Sequence, residues 1–322
     1  MLAPRIPTAG IGTREIVAPV LSPTDGACHD PEVQRPFPNA IWSNNVELFN
    51  DWMGFSGSGQ AIGRYAHYLA GITWIGLLYF FNFIQGAAFG EMSDGAKGEA
   101  LRKITWRTLW WFRWAALATW ISGVWILAHQ RALGSDFADY FSTSSGVGIA
   151  FGALLGTTMA ANVWMVIWPA QQIAIGSSVS VSEGGEANPE APAAAKRAAR
   201  ASRVNTLFSI PLVFFMMWPS HFASSFGDEI MGGVGFGPSA GGRWTLWIVF
   251  LVIWVVIEAS ALGKLGGYDN AINRVVLDKH QSTIKIGFVI TLVLYLLFGE
   301  PAGQLTVRRA SMPDDRWPAM SQ

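Results

Sequence analysis

The chain is poor in cysteine and in charge. Cys28 is the only cysteine among 322 residues. That excludes an internal disulfide, a cysteine-ligated iron–sulfur cluster and the Cys-x-x-Cys-His attachment of a c-type haem. The run Ala27-Cys28-His29 lacks the first cysteine of that motif. Charged residues make up only 14% of the chain, against 51% hydrophobic ones, which is the balance of an integral membrane protein rather than of a soluble domain. The formal net charge is zero. The basic residues that cluster are accounted for by membrane topology below, so no nucleic-acid binding is expected. There is no internal repeat, and the N-terminus lacks the basic, apolar and small-residue regions of a signal peptide.

What the chain does have is long apolar runs. About 20 apolar residues cross the roughly 30 Å hydrocarbon core, and six stretches qualify: Gly59 to Gln85, Thr105 to His129, Gly146 to Gly176, Val204 to Phe226, Trp244 to Gly263 and Ile284 to Phe298. Backbone polar groups must be satisfied inside lipid, which leaves helices or a closed barrel. The runs are too long and too continuously apolar for alternating barrel strands. The expected fold is therefore all-α, a polytopic transmembrane bundle of about six helices. Lys97, Arg102, Lys103 and Arg107 follow the first run, Lys196, Arg197, Arg200 and Arg203 the third, and Lys264, Arg274 and Lys279 the fifth, whereas the opposite loops carry only Arg131 and Arg243. The bias puts the basic loops in the cytoplasm and both termini outside, a multi-pass arrangement in a bacterial inner (cytoplasmic) membrane. Residues 1–58, rich in Pro, Gly and Asn, form an irregular extracytoplasmic segment, 59–300 the transmembrane domain and 301–322 a C-terminal tail. Ser177 to Arg200 reads as a linker with a helical entry from Ala193.

Three of the five histidines, His67, His129 and His221, fall near the ends of apolar runs that lie on the same, outer side. Ionisable groups in a bilayer are costly and mark sites, and histidine is the usual ligand of haem iron. On the first helix, His67, Gly71, Trp74 and Leu78 share a face by helical spacing. Gly71 would let a flat macrocycle approach the backbone one turn below His67, and Arg64, one turn above, could pair with propionates. The competing reading has His67 bonded to a neighbouring helix and Arg64 snorkelling to headgroups. On the fourth helix Pro211 and Pro219 can bend the backbone and so aim His221 inward; the plain alternative is an interfacial histidine in an aromatic belt. His129 ends the second helix beside Gln130 and Arg131 and is expected either to support the ligating histidines from behind or to be an alternative ligand. Arg113 and Glu258 sit inside apolar runs and are expected to pair across the bundle. Asn162 and Asn205 are expected to bond between helices. Trp106, Trp110, Trp111 and Trp114 form an aromatic belt.

Two of these stretches carry a resemblance. His67-Tyr68-Leu69-Ala70-Gly71-Ile72-Thr73-Trp74-Ile75-Gly76, with Arg64 ahead of it, resembles the first helix of the membrane domain of bacterial membrane-bound urate oxidase (urate hydroxylase). The run Asn205-Thr206 through Ser209, Pro211, Phe214 and Met216 to His221-Phe222 is similar to that family's fourth-helix pattern, as is Asn162-Val163-Trp164 with Ile167-Trp168-Pro169 and Gln171. The likeness spans roughly residues 59 to 300. It implies a membrane redox protein, with haem b near the outer face held by His67 and His221, that transfers electrons and oxidises urate or a related purine. The better-known members carry a C-terminal cytochrome c domain. This chain has no Cys-x-x-Cys-His, so its electron acceptor is expected to be a separate cytochrome c or a quinone. The first-helix motif is also similar to membrane protoporphyrinogen oxidases and copper-resistance proteins. Two other readings stay open: a non-catalytic accessory subunit of a larger membrane complex, and copper or haem handling with Met216 and Met217 as soft ligands.

Overall fold

A computed structural model of the chain describes residues 57–129, 137–222 and 240–298. The expected N-terminal segment with Cys28 and His29, the C-terminal tail, and Arg131 lie outside the described residues. Six long helices carry the fold. The first, α1 (Gly57–Tyr79), runs through a π-helical segment, Phe80–Gln85, into Gly86–Glu91. A short helix, Asp94–Ala100, leads through a second π segment, Leu101–Thr105, into α2 (Trp106–His129). After the short helix Phe137–Ser142, α3 (Ser144–Ala161) continues through a third π segment, Asn162–Ile167, into Trp168–Ser182. Then come α4 (Ala191–His221), α5 (Ala240–Ala261), a short loop helix Ala271–Val276, and α6 (His280–Phe298). No strand occurs among the described residues.

Four helical stretches are long and apolar enough to cross a membrane: Gly59–Glu91, Ser144–Ser182, Ala191–His221 and His280–Leu297. The described apolar part of α5, Thr245–Ala261, is shorter. The helix α2 is not among the four, because Arg113 and its many tryptophans, whose indole N–H is polar, dilute its apolar character. The chain is thus an all-helical, multi-pass membrane protein.

The central element is α4, whose apolar span is 61% buried against 17% for the span through α1. It gets that close to α3 by small residues. Gly148, Gly152 and Gly156 recur every fourth position, one face of a helix. A Cβ on Gly148 would stand 2.8 Å from Trp218 Cδ1, and one on Gly152 2.9 Å from Met216 Cε. With no hydrophobic drive between helices in lipid, this close packing of surfaces is what joins them. Indole N–H groups add bonds between helices: Trp218 donates to Ser144 Oγ (3.0 Å), Trp254 to Thr158 Oγ1 (3.0 Å) and Trp120 to Thr157 Oγ1 (3.1 Å). The helices α1 and α4 are tied antiparallel by Tyr79 and Ser209 (2.9 Å) and by Asn82 donating to Ser202 (2.8 Å).

The Ser177 to Arg200 linker reads differently in the structure. Helix persists to Ser182, whose hydroxyl donates back to Val179 O (2.7 Å), and resumes at Ala191. Only the turn between is non-helical. Serine in a helix can bond its own preceding turn, so a serine-rich run need not break it. Likewise α4 passes through both Pro211 and Pro219 without interruption. Its basic N-terminal end reaches the loop after α5, where Lys196 pairs with Asp269 (2.7 Å) and Arg200 with Asp278 (2.5 Å).

Candidate functional site

The face of α1 with His67, Gly71, Trp74 and Leu78 does turn inward. Trp74 is 2% exposed and Leu78 not at all. The neighbour it meets is α2. His67 Nδ1 lies 3.1 Å from Ser122 Oγ, and the imidazole packs on Gly123, where a Cβ would come within 3.2 Å of Cε1. The Ser122 hydroxyl gives its proton to Ala118 O (2.7 Å) or Thr119 O (3.0 Å). Towards the histidine it can therefore only accept, so Nδ1 carries the hydrogen and Nε2 keeps the lone pair. This is how imidazole ligands are held when the other ring nitrogen is anchored by a second group. Gly71 faces Thr119, whose Cγ2 would be 3.8 Å from an added Cβ. Arg64 is exposed near the N-terminal end of α1.

The other two histidines stand apart from this contact. His129 stacks on Trp125 (ring centroids 4.2 Å) and donates from Nδ1 to Trp125 O (3.0 Å). It lies six residues beyond Gly123 on α2, about 9 Å by helical rise. His221 ends α4, exposed, with Nδ1 donating to Met217 O (3.3 Å). A carbonyl only accepts, so both rings have the same tautomer as His67. His67 and His221 agree in depth. Each is twelve residues from the Tyr79–Ser209 bond, on the same side of it because α1 and α4 are antiparallel, about 18 Å by helical rise. They differ in direction: His67 turns to α2, His221 to the exterior of the described bundle. No group of three or more His, Cys, Asp or Glu side chains among the described residues comes together to hold a metal ion. Of the two methionines considered as soft ligands, Met216 packs against Gly152 and Met217 lines a cleft.

That cleft lies between α1, α4 and α6 and reaches along α4 from Ser209 to Phe222, beside His221. Its volume is about 720 Å³, with Tyr79, Phe214, Met217, Phe222, Phe288 and Tyr295 among its walls. It has the size and apolar, aromatic lining of an organic ligand site, with the hydroxyls of Ser209, Thr291, Tyr79 and Tyr295 among its lining residues.

Arg113 and Glu258 do not pair, contrary to the sequence expectation. The Arg113 guanidinium stands 3.8 Å from the Trp168 ring centroid, with Trp164 (5.5 Å) and Trp114 (5.6 Å) on other sides. Its charge is met by aromatic faces. Glu258 instead accepts from Asn162 Nδ2 (3.3 Å), which also bonds Asn205 Oδ1 (3.0 Å), while Asn205 Nδ2 donates to Met159 O (2.9 Å). The two asparagines do bond between helices, as expected, and α3, α4 and α5 share one buried polar chain. The four tryptophans at the start of α2 are all partly exposed, as an interfacial belt requires, although Trp106 and Trp114 also contact Trp168 and Trp164.

Sequence reasoning missed Ser122 and the polar groups at the inner end of α1, Asn82 and Gln85. Their signal was there, since both interrupt the apolar run Phe80-Phe81-Asn82-Phe83-Ile84-Gln85. Against known proteins, one family model, described as urate oxidase N-terminal, matches residues 132–232. The chain's middle third is a urate oxidase N-terminal sequence match. That segment holds the α3 glycines, Asn162, Asn205 and His221, and so covers the motifs of α3 and α4 that carried the resemblance. The His67 stretch of α1 lies before the urate oxidase match. No curated protein and no solved structure matches the chain.

Proposed function

We propose that the chain is the membrane-embedded part of a redox system related to urate oxidase, with a b-type haem in its outer half and urate or a related purine as the compound oxidised. The observation that carries the cofactor side is the anchored imidazole of His67, whose Nδ1–H is given to Ser122 and whose Nε2 keeps a ligating lone pair inside the helical bundle. The urate oxidase match at residues 132–232 supports the substrate side. The residues fit the group by the chemistry of their donor set: three imidazoles, two of which, His67 and His221, turn Nδ1 to a serine or a carbonyl and leave Nε2 for a ligand, and an arginine one turn from the first. A haem held there would supply one-electron transfer. His67 would provide one ligand nitrogen, and His221, at matching depth, or His129 the other. Arg64 would bind the propionates with its planar fork. Electrons would leave to a separate cytochrome c or to a quinone, for whose ring the cleft beside Tyr79 and Phe214 is large enough. The basic loops between α1 and α2 and at the start of α4 support a topology with that end in the cytoplasm of a bacterium and the histidine end outside.

The test is a reduced-minus-oxidised absorption spectrum of the detergent-purified chain, with His67→Ala, His129→Ala and His221→Ala alongside. A b-type band in the parent, lost in His67→Ala and in one of the other two, supports the reading and names the ligand pair. Reduction of that band by added urate supports the substrate. A parent without any haem band, after expression with ample haem, overturns the cofactor assignment.

A further inference from the structure

The inner half of the bundle holds a second, smaller cavity of about 190 Å³. All three π-helical segments border it, through Phe81, Asn82 and Gln85 of the first, Thr105 of the second and Ile167 of the third. Helical bulges of this kind recur at functional sites because the extra residue frees backbone positions and re-aims side chains. Here three of them converge on one space, and its polar groups are incompletely used.

Arg203 lines the cavity, and its Nη1 is buried with no hydrogen-bond partner. It has no ion pair among the described residues, because the nearby acids are taken: Asp278 pairs with Arg200, and Asp269 with Lys196. Gln85 spends its Oε1 accepting from Thr105 (2.9 Å), which leaves its amide N–H₂ as a donor. Asn82 spends both amide hydrogens, on Leu78 O (2.9 Å) and Ser202 Oγ (2.8 Å), which leaves Oδ1 as an acceptor. Gln171, on the opposite wall, offers either. The remaining walls, Phe81, Leu109, Phe112 and Ile167, are apolar.

We propose that this cavity binds a small planar monoanion, a carboxylate or a deprotonated nitrogen heterocycle of about one or two rings. The half-buried Arg203 guanidinium has no direct ion pair among the described residues, and Asp278, which acts on it at a distance, is bonded to Arg200; one negative charge at its buried Nη1 would complete it, since a cation taken out of water without a partner is costly. A planar anion matches the guanidinium fork edge-on, presents further edge atoms to the amides, and gives its faces to apolar walls. A phosphate, tetrahedral and strongly hydrated, would leave those walls unused and would need more than one cation. The site is distinct from the histidines, since Asn82 is fifteen residues along α1 from His67, about 22 Å by helical rise, and the inference does not rest on a haem being bound.

The experiment is equilibrium binding and thermal shift on the purified full chain in detergent, with benzoate, urate, benzamide and inorganic phosphate as probes. Saturable binding of benzoate or urate is expected, with benzamide, the neutral shape-match of benzoate, at least tenfold weaker. Arg203→Gln should weaken the anion at least tenfold and Arg203→Lys should restore part of it. Gln171→Leu, which leaves the charge in place, should weaken it several-fold and serves where the arginine variants fail to fold. Benzamide binding as tightly as benzoate, a preference for phosphate, or no response to either planar anion would overturn the proposal. None of these readouts depends on the haem spectrum, so the two assignments fail separately.

Discussion

The α3–α4 pair and the α1–α2 pair both set two helices side by side in an apolar solvent, and both seat a tryptophan on a glycine, but they differ in the polar groups between them and in what stays exposed. Between α3 and α4, glycines every fourth residue let Trp218 and Met216 press onto bare backbone, and a buried polar chain of Asn162, Asn205 and Glu258 locks the register. Between α1 and α2 the contact includes a histidine set against a serine and a glycine, and Trp125 set over Gly63, while Tyr65, Tyr68, Ile72 and Trp111 of the same helices remain exposed. The first pair is built for packing. The second keeps an imidazole at a half-buried contact, with its ring set against Ser122 and Gly123.

The sharpest break of this contrast is steric. Gly152→Leu would force a side chain into the space held by Met216 and should cost about 1–3 kcal/mol, read as a lower unfolding midpoint in detergent. The same change at Gly76 of α1, where an added Cβ meets nothing, should stay within about 0.5 kcal/mol. Equal losses at both sites would erase the distinction. Next comes Asn205→Ala, which removes the amide that joins Asn162 to the Met159 carbonyl inside the bundle and leaves Asn162 only its longer bond to Glu258; about 1 kcal/mol is expected from the lost buried bonds, measured by the same melt. Ser122→Ala should cost no more than that, because His67 is only partly buried. Its larger consequence, on the haem reading, is weaker cofactor retention from a ring no longer held in one tautomer, measured as haem per chain. A Ser122→Ala protein with unchanged retention would separate the serine from the site.

The smallest effect lies outside the membrane. Asp269 is held below the usual carboxylate range by its bond to Lys196, and further by Arg200 and Arg274. Its folded value is depressed. The stabilisation is therefore fully present above the unfolded value near 4, and is lost as pH falls through the lower folded value. Asp269→Asn should flatten that acid limb of the unfolding midpoint and leave neutral pH almost unchanged, because the carboxylate is fully exposed to screening.

The apolar runs were legible because a helix in lipid has to be long, continuous and internally hydrogen-bonded, and the inward face of α1 was legible because His67 to Leu78 lies before the first π segment, where the 3.6-residue period holds. Asn162 and Asn205 were legible as partners because polar amides in an apolar run have few other uses. The partners of Arg113 and Glu258 were not. A π turn inserts a residue and rotates every later side chain by about 100° relative to the unbroken period, and such segments precede Arg113 on its helix and interrupt the α3 helix that supplies its tryptophans. The glycine row of α3 was visible in the letters, but its meaning depends on Trp218 and Met216 arriving opposite it.

Composition and run length decided that this chain crosses a membrane as helices, because the cost of unpaired backbone in lipid leaves no other form. They also decided which few polar groups had to be buried. Which of those groups meet was decided by rotation and depth in the folded bundle: His67 with Ser122, Glu258 with Asn162, Arg113 with three indoles, and Arg203 Nη1 with no hydrogen-bond partner among the described residues. Contacts of that kind depend on the phase of one helix against another, a quantity that no single run of residues contains.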